Sequence, residues 1–232
     1  MEDQDYLWKL EENDFWHNNK DKVLMKLIKP GSVLDIGAGT GSFTIKLAKN
    51  GMDVVYIDAS EKYYEIAKER AKKEGLKNIK FIKDYFPSKN IKNKFDNVVI
   101  SGFIEHIEDD VKLLKDINKL LKPKGRLILL TSAYPFLYSN FDRAVGHYRR
   151  YTKKELNDKI VYSGFNVKFL KYWDILGIPI LLITKITGKV PVTTNGLNSK
   201  FLNYILDKWF SIFENNMIIP MGLDLIVMAE KQ

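Results

Sequence analysis

Three glycines and a nearby carboxylate in the first fifth of the chain are spaced to hold a small charged ligand. The stretch VLDIGAGTGSF, residues 33–43, is an apolar run that carries Gly37, Gly39 and Gly41, with Ala38 between the first two. Without Cβ atoms, such positions permit a tight turn and close approach of backbone to a ligand. A dinucleotide would need G-x-G-x-x-G with its pyrophosphate at the next helix N-terminus, but position 42 is serine and the spacing is G-x-G-x-G. Asp35, two residues before the turn, would repel a pyrophosphate and would suit a ligand with an ammonium and a sulfonium. S-adenosylmethionine has both and no phosphate.

Further along, Asp58 in VVYIDAS (54–60) can accept from both ribose hydroxyls, with Ala59 beside it; dinucleotide-binding folds share this feature. Within KDYF (83–86), Asp84 can accept from an adenine amino group, with Tyr85 as an aromatic wall, or it can be an ordinary turn aspartate. Ser101, at the end of FDNVVIS, completes the expected cofactor set.

If the ligand is such a sulfonium, methyl transfer from it would be an in-line displacement at an activated carbon, with positioning supplying most of the rate. A base matters only where the acceptor must lose a proton. His106, expected at the mouth of the site after the fourth apolar run, is the first candidate, since histidine titrates near neutrality; its alternative role is a helix-start residue bonded to backbone. The second region is residues 131–156. Of the five arginines in the protein, Arg143, Arg149 and Arg150 fall within eight residues, interleaved with His147, Tyr148 and Tyr151. Arginine suits bidentate recognition of carboxylate or phosphate, so Tyr134, Arg143, Tyr148, Arg149 and Arg150 are expected to contact an anionic acceptor, with His147 as a second candidate base. Bracing of the loop through Asp142 or Glu155 is the alternative.

The elements that must position these residues alternate. Apolar runs at 33–36, 54–57, 79–82, 97–100 and 126–130 are separated by segments of helical periodicity at 42–49, 60–73 and 111–121. Continuous rather than alternating apolar strands imply a parallel sheet covered on both faces, hence an α/β doubly wound fold. Thr152 and Glu155 have capping-box spacing for a further helix. Phe165–Trp173 reads as a sixth strand and Leu223–Ala229 as the last. Between them, Asp174–Met221 is expected to be an insertion with two apolar helices, Ile178–Thr187 and Asn198–Phe213. The second has a stripe of Phe201, Leu202, Ile205, Leu206, Trp209, Phe210 and Phe213, broader than one packing partner requires. It is expected to be partly open, as a lid, an interfacial surface or a dimer contact, or to be packed in the core. Phe15 and Trp16 precede an amphipathic helix in the N-terminal segment 1–29, which either covers the pocket or packs on the sheet edge. No linker appears, so residues 1–232 read as one domain.

With 45% hydrophobic residues the chain can bury a substantial core. It has no cysteine, which excludes disulfides and thiolate chemistry. The acidic N-terminus lacks the features of a signal peptide, and the apolar run 175–183 falls short of the ~20 residues that span a bilayer. A cytoplasmic protein is expected, with peripheral membrane contact through the insertion as a further option. A net charge of +8 and a pI near 9.3 favour anionic partners, but no nucleic-acid recognition module is visible, which argues against such an acceptor.

Taken together, VLDIGAGTG (33–41), VVYIDAS (54–60), FDNVVISGFIEHIED (95–109) and LKPKGRLILLT (121–131) resemble the class I S-adenosylmethionine-dependent methyltransferases, in the branch that includes quinone-precursor methyltransferases. The resemblance covers residues 20–173, with 223–231 as the family's antiparallel last strand. It implies a Rossmann-like fold with a mostly parallel seven-stranded sheet and S-adenosylmethionine as cofactor. The arginine loop and the apolar insertion, rather than the resemblance, point to O-methylation of an amphiphilic or anionic acceptor, whether a small molecule, lipid-linked or a glycan. Some members carry E-x-x-E-H, able to hold Mg²⁺. Here the first position is Gly102, leaving Glu105 and His106, so no metal is expected. Two rival readings are a nucleic-acid methyltransferase and a binding protein that keeps the fold without catalysis.

Overall fold

The computed structural model describes residues 14–187 and 200–232. The acidic segment 1–13 and residues 188–199 of the expected insertion lie outside the described residues.

The apolar runs pair into one sheet of seven strands, in the order β3-β2-β1-β4-β5-β7-β6. These are β1 (Val33–Ile36), β2 (Val54–Asp58), β3 (Ile79–Lys83), β4 (Phe95–Ser101), β5 (Leu121–Ser132), β6 (Phe165–Trp173) and β7 (Asp224–Lys231). The first five pair in parallel, while β7 runs antiparallel between β5 and β6. All four residues of β1 are buried, which explains its lack of polar alternation.

Strand periodicity divides the core in two. Leu34, Ile36, Val98, Ile100, Leu127 and Leu129 face helices α4 (Asp110–Leu120) and α6 (Lys153–Tyr162) through Leu113, Leu114, Ile117, Leu156 and Ile160. Val33, Val99, Ile128, Leu130 and Ile226 face α1 (Phe15–Met25) and α2 (Ser42–Lys49). Helix α3 (Glu61–Lys73) starts one residue later than the periodicity suggested because Ser60 is its cap, accepting from Tyr63 N at 3.3 Å. Thr152 caps α6 in the same way, accepting from Glu155 N at 3.1 Å. The region between β5 and α6, expected to be a loop, contains a short helix α5 (Asn140–Ala144) started by reciprocal bonds between Ser139 and Asp142.

The insertion contains α7 (Gly177–Thr187) and α8 (Lys200–Trp209), and α8 continues into a π-helical turn, Phe210–Glu214. The single helix expected to reach Phe213 is therefore broken in character at Phe210. That ring is buried against Phe15 at 5.5 Å and Trp173 at 5.1 Å, while Ile205, Trp209 and Phe213 stay substantially exposed. The side chains of Phe201 and Leu202 lie outside the description. Glu214, fully buried, accepts from Asp174 N at 2.7 Å, Ile175 N at 3.1 Å and Trp209 Nε1 at 3.1 Å. Asn215 bridges Trp173 Nε1 (3.0 Å) and the Asn19 backbone (3.2 Å), and Trp16 Nε1 donates to Asp174 at 3.0 Å. The N-terminal aromatics thus pack as core and bind α1 to the insertion.

Candidate functional site

The three glycines of the turn all have positive φ, between 55° and 73°, yet they serve different ends. A Cβ on Gly37 would lie 2.2 Å from the Phe103 ring, and one on Gly41 would lie 2.7 Å from the Cβ of Ala67. Both make room for the protein itself. A Cβ on Gly39 would meet no heavy atom within 4 Å, so that glycine borders open space where a ligand's backbone contacts can form. Its N–H donates to Asp58 Oδ2 at 2.9 Å, and Ser60 N donates to Oδ1 at 2.8 Å, which orients the Asp58 carboxylate at the end of β2 before any ligand arrives. Ala38 lies within this turn and Ala59 next to Asp58.

Asp35 is 3% exposed and accepts from Thr44 Oγ1 at 2.6 Å. Burial pushes its carboxyl up to about 6, so it is a buried support beneath the turn rather than an open anion at its mouth. Asp84 accepts from Ser88 Oγ at 2.5 Å and Tyr85 N at 2.9 Å, the bonding of a turn aspartate, and Tyr85 stands 80% exposed. The turn role is the one this geometry favours. Ser101 ends β4 next to Gly102, whose φ of +64° and open surroundings turn the chain toward the catalytic candidates. Phe103, packed on Gly37, is a site neighbour that sequence reasoning missed; no spacing rule marks it.

The structure brings His106 and His147 together although 41 positions separate them. Their rings meet edge to face with centroids 4.6 Å apart. Two bonds to backbone carbonyls hold the meeting in place. Tyr148 N donates to the Glu105 carbonyl at 2.7 Å, and His106 Nδ1 lies 3.3 Å from the Gly146 carbonyl. A carbonyl only accepts, so Nδ1 of His106 carries the proton and Nε2 keeps its lone pair. Burial, and then the neighbouring His147, hold the His106 pKa below its ordinary value. His147 Nδ1 in turn faces Asp142 Oδ1 at 3.1 Å, an orienting bond of the kind that fixes a general base.

The arginine loop departs from expectation. Arg150, 4% exposed, donates from Nε to Asp142 at 2.8 Å and from Nη1 to the Ala133 carbonyl at 3.3 Å. Arg149 donates to Asp110 at 2.9 Å and to the Glu108 carbonyl at 2.7 Å. Both guanidinium groups are spent on internal acceptors, one of them the anticipated Asp142 and the other Asp110 rather than Glu155. In the structure both act as braces. Arg143 remains exposed, bonded to Asn140 at 3.0 Å, and Tyr148 is 54% exposed beside Arg149. Tyr134, with φ +62°, stacks on Tyr172 at 5.2 Å, at the end of β5. A capping-box spacing at Ser139 and Asp142 was the signal that could have identified Asp142 as structural.

Among the described residues no group of three or more His, Asp or Glu side chains could hold a metal ion. An open recess of about 670 Å³ beside β3, lined by Tyr64, Phe81, Lys83 and Phe95 among others, includes none of the expected cofactor residues. The ligand-bearing end of the sheet is defined instead by the turn, Asp58 and the histidine pair, at the carboxyl ends of parallel strands.

Comparison with known proteins agrees with this geometry. A family model described as a methyltransferase domain matches residues 29–176, more than half of the chain. A demethylmenaquinone methyltransferase of Lactococcus lactis is 34% identical over 110 residues, 46% of this chain and 44% of that protein. A ubiquinone biosynthesis O-methyltransferase of Pelagibacter ubique is 35% identical over 124 residues, 51% of this chain and 47% of that protein. The matched segments span about half the length of these relatives. The solved N-methyltransferase NodS of Bradyrhizobium japonicum, in complex with S-adenosyl-L-homocysteine, superposes with a TM-score of 0.61 at 16% identity, over 97% of this chain and 91% of that one, which shows a shared fold. By its family match, its sheet order and its glycine turn, the chain belongs to the methyltransferase-domain family, as a class I member whose cofactor is S-adenosylmethionine.

Proposed function

We propose that the chain transfers the methyl group of S-adenosylmethionine to an oxygen of a small amphiphilic acceptor of the quinone-precursor type, free or lipid-linked. The observation that carries this reading is the His106–His147 pair, which meets at the turn after β4, the strand that pairs with β1 and its glycine turn. Asp58, the Gly39 backbone and, from beneath, Asp35 would hold the cofactor, which supplies a carbon already activated by sulfonium. An acceptor hydroxyl must then lose its proton, and Nε2 of His106 would receive it while Nδ1 stays bonded to Gly146. The named activities of the relatives support a ring acceptor. With Arg149 paired to Asp110 and Arg150 to Asp142, the acceptor needs no anionic group to satisfy them.

Replacing Asp58 by Ala is expected to weaken S-adenosylhomocysteine binding by ~1–3 kcal/mol, the loss of hydrogen bonds to a charged acceptor. Calorimetry measures this directly, and unchanged affinity would remove Asp58 from the cofactor site. Incubation with methyl-labelled S-adenosylmethionine and a hydrophobic catechol should give a labelled aryl ether. Label found only on carbon or nitrogen would displace the O-methylation reading; bound cofactor with no transfer to any component of a lipid extract would favour a non-catalytic binding protein.

A second reading concerns where the acceptor is met. Ile183, Ile212, Met217 and Ile218 are 61%, 56%, 54% and 78% exposed on the insertion, and Lys22 of α1 and Lys26 at its C-cap flank it through Asp207 and Asn216. Apolar side chains bordered by lysines fit an anionic lipid surface. No helix among the described residues is long and apolar enough to cross a membrane, so contact would be peripheral. The chain should sediment with anionic vesicles and much less with neutral ones, and Ile212→Glu with Ile218→Glu should abolish it. A concentration-dependent dimer lost in the same variant would assign the surface to a second copy instead.

A further inference from the structure

Buried carboxyls gather at the acceptor half of the sheet's ligand-bearing end, and one of them lacks any partner. Glu105, 2% exposed, accepts from Thr131 Oγ1 at 2.9 Å. Asp174, 6% exposed, accepts from Trp16 Nε1 at 3.0 Å and Gly177 N at 2.8 Å. Asp224 is equally buried, at 6%, but its carboxyl makes no hydrogen bond to any described residue. It opens β7, in register with Ser132 at the end of β5 and Trp173 at the end of β6. Strand alternation places its side chain on the face of Ile226, toward α1.

The Asp224 oxygens are not among the fully buried side-chain atoms left without a partner, so they keep a small opening through which a ligand could bond them. The groups that act on Asp224 are Asp174 from the end of β6, Glu105 from the turn after β4, Arg150 from the segment before α6 and Lys20 from α1. Arg150 is neutralised by Asp142, and Lys20 lies 3.6 Å from Asp21. Burial, and then the charges of Asp174 and Glu105, push the Asp224 carboxyl well above the usual carboxylate range, which favours its protonated, donating form. Glu105 also senses His147 electrostatically, which ties this corner to the histidine pair. Two strand spacings, ~10 Å, separate β7 from β4, a distance that a single substituted ring can bridge.

We propose that Asp224 is an acceptor-binding residue whose carboxyl group donates a hydrogen bond to an uncharged oxygen of the acceptor, so that the acceptor carries at least two oxygens. One oxygen is methylated beside His106 and the other is held by Asp224. This rests on the methyltransferase reading above and specifies its substrate class. It differs from capture of an amine, which would require the ionised carboxylate.

The test uses the full chain saturated with S-adenosylhomocysteine and calorimetric titration with 1,2-dihydroxybenzene and with phenol. The wild type should prefer the diol by about tenfold or more, the effect of one buried hydrogen bond. Asp224→Leu should erase that preference while cofactor affinity is unchanged, and Asp224→Asn, a neutral donor of the same shape, should keep it. Equal binding of the two compounds by the wild type, or of neither, overturns the proposal, as does an Asn variant as defective as Leu. Infrared difference spectra of wild type against Asp224→Asn at neutral pH supply a measurement independent of turnover and of the Leu variant's folding. A protonated-carboxyl band must be present, and its absence also overturns the proposal. Failure to bind S-adenosylhomocysteine would instead strike the methyltransferase reading and leave the carboxyl band untouched.

Discussion

Substituting His106 by Gln is expected to lower kcat by ~10²- to 10⁴-fold, the usual contribution of a positioned general base. Glutamine can preserve a hydrogen bond to the Gly146 carbonyl while offering no basic nitrogen, so cofactor affinity should not change. The pH dependence follows from the direction of the His106 shift. Burial and the adjacent His147 favour the neutral imidazole, so the base is ready at neutral pH and is lost only on acidification. The acid limb of kcat/KM should therefore fall at a pH below 6.5, the ordinary histidine value, with a plateau above it. Replacing His147 with Gln removes a like charge and should move that limb upward. An unaltered limb, or a kcat within threefold (about 0.65 kcal/mol) of wild type in His106→Gln, would show that positioning alone drives transfer.

The second large effect is on stability. Arg150→Met leaves Asp142, fully buried, without its ion-pair partner, and should destabilise the fold by ~3–5 kcal/mol in urea titrations. The remaining bonds from Ser139 and His147 do not replace a guanidinium in a buried setting. Burial opposes ionisation of Asp142, but the bonds from His147 and Arg150 outweigh it and hold the carboxyl below its usual range. A depressed folded pKa gives stability that is present above the unfolded value of 3.8 and lost as pH falls through the folded one, so this contribution is intact at neutrality. Adding Asp142→Leu to Arg150→Met should recover much of the loss. If Arg150→Met instead raised the acceptor KM with stability unchanged, the arginine would be an anion contact after all.

The Arg150 result bears on what could be read from the sequence. β1, β6 and α2 have the boundaries that hydrophobic pattern and glycine placement indicated, because each is bounded locally by a turn residue or a periodicity change. The glycine turn and Asp58 were legible for the same reason. The arginine loop was not, because a cluster of three arginines reports charge density but not which carboxylates fold against it. Asp110 lies 39 residues before Arg149, and no local rule links them. The contact between His106 and His147 was hidden likewise, although both were candidates singly. Asp224 was visible as a carboxylate inside the apolar run LDLIVMA, yet its isolation depends on the register of three strands.

The bonds joining α1 to the segment between β6 and β7 bear on modularity. An insertion between the last two strands looks exchangeable, as if residues 174–221 could be excised and the cofactor site spared. In the folded chain, Phe210 fills the space between Phe15 and Trp173, Asn215 ties Asn19 to Trp173, and Asp207 accepts from Asn19 and Lys22. Excision would strip the sheet face that α1 and α2 share. A chimaera that borrows this segment from a relative must therefore borrow α1 with it, since the two segments pack and bond as one unit.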